Sequence, residues 1–174
     1  KPLVVMTPKS LLRDPRVVSP LADFTSGRFR RMIPDDREDH AAISRVILTS
    51  GKVYYDLLEA RGTLGRHDVA IARVEQFYPL GDEHLEALLA PFGDAIPVRW
   101  EEPANMGAWK FFRGRYGDAI FGRPFTGVCR PESASPATGS ASRHKQEQRD
   151  LVALAFAPDS PSRAARPTRA ARAV

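Results

Sequence analysis

Arg45-Val46-Ile47-Leu48-Thr49-Ser50-Gly51-Lys52-Val53-Tyr54-Tyr55-Asp56-Leu57-Leu58-Glu59 is the stretch that most narrows what this chain can fold into. A short apolar run rich in β-branched residues reads as a buried strand. Thr-Ser-Gly closes it, and an amphipathic helix begins at once, with Val53 and Leu57, and Tyr54 and Leu58, recurring on its faces. This is the strand–turn–helix joint of an α/β sheet, where ligands gather outside the carboxyl ends of the strands. The helix start offers free N–H groups and a partial positive charge. An anion beside Ser50, Gly51 and Lys52 would relieve the unfavourable placement of Lys52 there. The simpler alternative is that Ser50 or Thr49 caps the helix and Lys52 is solvated.

The rest of the chain repeats this alternation. Asp68 to Glu75 and Ile96 to Trp100 read as further strands, and Phe125 to Cys129 as the last. A leading strand is expected at Leu3-Val4-Val5-Met6, followed by a helical turn over Lys9 to Arg13. Helices are predicted over Lys52 to Arg61, with Gly62 as C-cap, and from Leu80 to Phe92, with Leu85, Leu88, Leu89 and Phe92 on one face. Two more are expected over Ala108 to Tyr116 and Gln146 to Ala157, the latter with Leu151, Leu154 and Ala155 inward. Pro34 to Asp39 reads as an exposed polar loop, and Arg130 to Ser142 as a packed one. The pattern predicts an α/β fold: three layers, with helices on both faces of a mostly parallel sheet of about five strands. Residues 1–42 form a leading strand and irregular arm, 43–157 the α/β unit, and 158–174 a disordered Arg/Ala/Pro tail.

Charge and cysteine content exclude several functions. Of 26 basic and 21 acidic residues, four Arg and one Asp fall in the tail, so the body is nearly balanced and offers no broad footprint for nucleic acid. No run approaches the roughly 20 apolar residues that cross a bilayer. The single Cys129 rules out an internal disulfide and suits a reducing cytosol, so a cytoplasmic location is expected. The opening Lys1-Pro2-Leu3 carries neither an initiator Met nor a signal peptide and reads as the middle of a longer polypeptide.

Candidate chemistry is sparse. Glu101 and Glu102 are neighbours at a strand end and point to opposite sides, so they are not a facing acid/base pair. His67, His84 and His144 lack metal-ligand spacing, and His40 is expected to be solvated in its polar loop. Trp109 and Tyr116 are expected in the core or at a subunit contact. Catalytic residues and metal ligands are therefore expected to be absent. Lys52 and Arg130 each follow a strand, and Arg13 follows the leading strand in the same sense. With the hydroxyls of Thr7 and Ser50 they make a candidate phosphate-binding set of Thr7, Arg13, Ser50, Lys52 and Arg130. Unrelated surface cations, or ion pairs with Asp56 or Glu102, are the alternative.

Five segments reach beyond the generic pattern. They are Lys1 to Arg13; Ser50-Gly51-Lys52-Val53-Tyr54-Tyr55-Asp56-Leu57; Asp68 to Gln76; Glu101-Glu102-Pro103-Ala104-Asn105 with Gly107-Ala108-Trp109; and Arg130-Pro131 with Ser133-Ala134-Ser135-Pro136-Ala137. In this order and spacing, residues 1–156 closely resemble the C-terminal end of the thiamine-diphosphate-dependent first component of the 2-oxoglutarate dehydrogenase complex. The resemblance implies a transketolase C-terminal-like domain that packs on the pyrimidine-binding domain and supports a homodimer. It implies that thiamine diphosphate, Mg2+ and the substrate-handling His residues belong to upstream domains. The parent would decarboxylate 2-oxoglutarate in the tricarboxylic acid cycle and succinylate the lipoyl group of its acyltransferase partner. AMP or acetyl-CoA is the effector implied for some members. The family usually has Gln where this chain has Trp100 and Met106, and both changes replace a polar side chain with an apolar one. A free-standing nucleotide- or CoA-binding module, and a protein-interaction scaffold using the Arg-rich tail, are the competing readings.

Overall fold

The computed structural model describes residues 2–93, 95–101, 104–135 and 138–158. Strands β1 (Met32–Ile33), β2 (Arg45–Thr49), β3 (Val69–Val74) and β4 (Ile96–Glu101) belong to one sheet. A short hairpin, β5 (Ala119–Ile120) with β6 (Arg123–Pro124), stands apart, and β7 (Thr126–Cys129) completes the sheet in the order β1-β3-β2-β4-β7. Its β2, β3, β4 and β7 run parallel, and β1 pairs antiparallel with β3. Every residue of β2 is buried, as a central parallel strand covered on both faces requires.

Side chains alternate between two cores. Val46 and Leu48 of β2, with Ala70, Ala72 and Val74 of β3, meet α3 (Asp82–Leu89) and α4 (Trp109–Tyr116). Ile47, Val69 and Ile71 face the other way, onto α2 (Val53–Thr63) and α5 (Ala141–Phe156). Leu85, Leu88, Leu89 and Phe92 are all buried, as their spacing predicts. The fold is thus α/β, with a mixed five-stranded sheet. A short α1 (Leu21–Thr25) lies in the arm ahead of β1.

Several expectations fail for local reasons. Leu3-Val4-Val5-Met6 is not a strand, and the sheet edge beside β3 is taken by β1. Gly62 does not end α2. The helix continues to Thr63, and Gly65 takes the left-handed turn (φ 61°), with Gly65 N–H donating to Gly62 O and Arg66 N–H to Arg61 O in a Schellman closure. Leu154 is exposed, and Phe156 fills the inward place beside Leu151 and Ala155. The loop after β1 is not wholly polar surface either, since Asp35 is buried within it. His40 packs its ring edge-on to Phe92, with centroids 5.1 Å apart. The tail from residue 159 lies outside the described residues.

Two arginines tie the last helix to the sheet. Arg45 Nη1 donates to Ala155 O at 3.0 Å and to Ala157 O at 2.7 Å, and Arg66 Nη1 donates to Phe156 O. These are carbonyls that a helix end leaves without intrahelical partners. Arg66 also clamps Asp68 through two hydrogen bonds and holds its carboxyl well below the usual carboxylate range. Among the described residues no helix is long and apolar enough to cross a membrane.

Candidate functional site

The parallel strands place four carboxyl ends along one edge: Thr49, Val74, Glu101 and Cys129. Ser50, Gly51 and Lys52 leave β2 there, and Arg130 leaves β7. Gly51 turns the chain with φ 65°, a conformation that costs glycine little, and Lys52 takes the N-cap position of α2. No side chain caps this helix. The capping alternative for Ser50 and Thr49 is therefore not realised. Thr49 is fully buried, and its Oγ1 makes no hydrogen bond among the described residues. Ser50 is half-buried and Lys52 is exposed.

Arg130 is otherwise employed. It is buried, with Nη1 3.4 Å from His144 Nδ1 and 3.7 Å from Glu147 Oε2, so it points to α5. Glu147 also accepts from Arg143 Nε at 3.1 Å and from Thr138 Oγ1 at 3.3 Å. Arg130, Arg143 and Glu147 line a groove of about 490 Å3 between the end of β7 and α5. Strand β4 separates β7 from β2, so Arg130 and Ser50 leave the sheet on strands roughly 10 Å apart. Asp56, the alternative ion-pair partner for the cations, accepts from Gln148 Nε2 at 2.8 Å. Glu102 lies outside the described residues.

Thr7 and Arg13 are exposed on the arm, with no strand to carry them to the sheet edge. The arm reaches α2 through Arg16, which pairs with Asp14 and Glu59 and lies 5.7 Å from the centroid of the Tyr55 ring. No described hydrogen bond or ion pair joins any two of Thr7, Arg13, Ser50, Lys52 and Arg130. The structure places Ser50, Lys52 and Arg130 after strands at one sheet edge and carries Thr7 and Arg13 on the exposed arm.

Sequence reasoning missed a further cation here. Arg73, near the end of β3, pairs with Glu75 at 2.8 Å and lies 4.8 Å over the Tyr54 ring. Burial pushes the Tyr54 phenol above its ordinary value. The i,i+4 pair Arg143–Glu147 was the legible sign of the α5 charges around Arg130. Asn105 was quoted only as part of a motif, yet it is a clip. Its Nδ2 donates to Ser133 O at 2.9 Å and its Oδ1 accepts from Ser133 N–H at 3.1 Å. With Ala104 N–H donating to Arg130 O at 2.9 Å, it joins the loops after β4 and β7. Trp109 packs on Phe125, centroids 5.4 Å apart, and against the bare Cα of Gly127. Among the described residues no group of three His, Cys, Asp or Glu side chains is placed to hold a metal ion.

The geometry separates two roles by experiment. Arg130→Met leaves Glu147 without its buried guanidinium and is expected to cost about 1–3 kcal/mol of stability. Lys52→Ala is expected to stay within about 0.5 kcal/mol. Urea unfolding of both variants checks this, and equal losses would remove the distinction.

Residues 18–156 match the family described as 2-oxoglutarate dehydrogenase C-terminal. The chain is 44% identical over 162 residues to the 2-oxoglutarate dehydrogenase E1 component of Cupriavidus necator, covering 90% of this chain and 17% of that protein. It is 43% identical over 163 residues to the E1 component of Azotobacter vinelandii, with the same coverage. The multifunctional 2-oxoglutarate metabolism enzyme of Mycobacterium sp. strain JLS is 38% identical over 168 residues, covering 91% of this chain and 13% of the relative. The chain therefore spans less than a fifth of the relatives it matches. It belongs to the 2-oxoglutarate dehydrogenase C-terminal family.

Proposed function

We propose that this chain serves as the C-terminal, non-catalytic unit of a 2-oxoglutarate dehydrogenase first component. The family match over residues 18–156 carries this reading. In it, residues 43–157 are a transketolase C-terminal-like α/β unit, residues 1–42 are its leading arm, and 158–174 is a tail apart. The unit packs on upstream thiamine-binding domains and supports a homodimer in the cytoplasm. The parent oxidoreductase works with a lipoyl acyltransferase. Thiamine diphosphate, bound with Mg2+ upstream, supplies the carbanion chemistry that decarboxylates 2-oxoglutarate. The donor set here does not fit the metal, since no three candidate ligands come together among the described residues. No step is assigned to this chain. An acidic nucleotide effector, AMP or acetyl-CoA, belongs to the Ser50–Lys52 turn in this reading. Arg130 adds positive potential from the same edge, and Thr7 and Arg13 join only when the arm is seated on its neighbour.

The test is a chimera in which this chain replaces the matched region of the Cupriavidus necator relative. The chimera is expected to decarboxylate 2-oxoglutarate with thiamine diphosphate and Mg2+, and the truncated relative is expected to lose that activity. The 174-residue chain alone should show no turnover. Robust decarboxylation by that chain alone would sink the proposal.

A further inference from the structure

We propose that His84 is a proton-operated switch that exchanges partners between Arg31 and Glu83, and so sets how firmly the entry to β1 is held.

Arg31 is the residue through which the chain enters β1. Its main-chain O accepts from Glu75 N–H at 2.9 Å and from Gln76 N–H at 3.1 Å, just past the end of β3. Its side chain reaches the other way, to α3, where Nη1 lies 2.7 Å from His84 Nε2. A guanidinium only donates. The contact therefore needs a bare Nε2, and the one ring proton of the neutral imidazole must sit on Nδ1. Nδ1 faces Glu83 Oε1 at 3.5 Å. The Glu83 carboxylate lies over the bare Cα of Gly81, where an added Cβ would meet Oε1 at 2.1 Å.

The two ring nitrogens thus face opposite charges. Neutral, His84 accepts from Arg31 and joins the entry of β1 to α3. When a solvent proton binds Nε2, the acceptor is gone, the bond from Arg31 breaks, and the two cations repel. The imidazolium then pairs with Glu83 alone. Other charges nearby are spoken for or turned away. Asp82, in the same turn, accepts from Arg115 and Tyr116 of α4. Glu86 is two residues further along α3 and so does not share the face of His84. The segments Met32–Ile33 and Ala90–Phe92, which also pack on α3, carry no titratable side chain. The switch acts at one end of β1 only, because past the other end the Asp35 carboxylate holds the Ile71 N–H at 2.6 Å.

Nitrogen NMR of the 174-residue chain tests the resting state. With the ring neutral, His84 should carry its proton on Nδ1, and a proton on Nε2 would overturn the proposal. Hydrogen exchange tests the switch between about pH 8 and pH 5, the window in which histidine ordinarily changes charge. Each amide rate is divided by its unstructured rate at the same pH. The Glu75 and Gln76 amides should lose about two- to tenfold of protection as the NMR spectra show the ring charging, the size of one exposed hydrogen bond. The β2 amides should not change. Constant protection at Glu75 and Gln76 while the ring charges overturns the proposal. His84→Gln presents an acceptor at every pH and should remove the dependence. The same loss in that variant would assign the effect to another group and equally overturn it. Arg31→Met should show the weaker protection at both ends of the window, and full protection there would mean that the Arg31 side chain holds nothing.

Discussion

Asp35→Ala is expected to lower the unfolding free energy by about 3–5 kcal/mol, the usual cost of breaking one half of a buried ion pair. The Asp35 side chain is 2% exposed and that of its partner Arg61 is 11% exposed. The β1–β3 register pairs Met32 with Val74 and Ile33 with Arg73, so its continuation would set Asp35 opposite Ile71. Pro34 ends the strand first. The Asp35 carboxylate then takes over, accepting from Ile71 N–H at 2.6 Å, Arg37 N–H at 3.1 Å and Arg61 Nη1. Alanine would leave a strand amide unsatisfied and the largely buried Arg61 guanidinium with only its longer contacts to Asp36 Oδ1 and Val69 O, each 3.5 Å. At about 2–4 °C per kcal/mol for a chain of this size, the midpoint should fall by roughly 6–20 °C. Guanidinium unfolding with an unchanged denaturant slope checks the result. A loss below about 1 kcal/mol would mean that the carboxylate does not close this edge.

Phe112→Ala should cost a similar amount, about 3–5 kcal/mol, through lost burial and the cavity left behind. Phe112 is fully buried on α4, with ring centroids 5.7 Å from Phe77 and 5.5 Å from Phe111. Phe112→Leu retains most of the volume and should cost less than about 1.5 kcal/mol. Phe111→Ala is the control, because Phe111 is 39% exposed and loses less on truncation. Thermal unfolding of the three variants should rank Phe112→Ala lowest. A loss at Phe111 equal to that at Phe112 would show that α4 packs differently.

The parallel part of the sheet was legible because burial on both faces leaves continuous apolar runs, as at Val46-Ile47-Leu48. The faces of α3 were legible from the spacing of Leu85, Leu88, Leu89 and Phe92. The role of Met32–Ile33 was not, since two residues carry no period. Asp35 hid for a related reason: its setting among Asp36, Arg37, Glu38 and Asp39 is that of a solvated loop, and only the tertiary pairing with Arg61 and Ile71 buries it. Lys52 and Arg130 were correctly placed after strands. Sequence order did not reveal that α5 would turn Glu147 and His144 toward Arg130. Thr7 and Arg13 were read by analogy with the other strand ends, and that analogy depended on a leading strand absent from this unit's sheet.

The grip of Arg45 on the end of α5 has a consequence for biosynthesis. Its two acceptor carbonyls lie 110 and 112 residues further along the chain. At about 5–20 residues per second, the ribosome delivers them roughly 5–20 s after Arg45 itself. Through that interval these two contacts between β2 and α5 have not yet formed. A chain cut short ahead of Ala155 never gains the two contacts by which the central strand holds the end of α5.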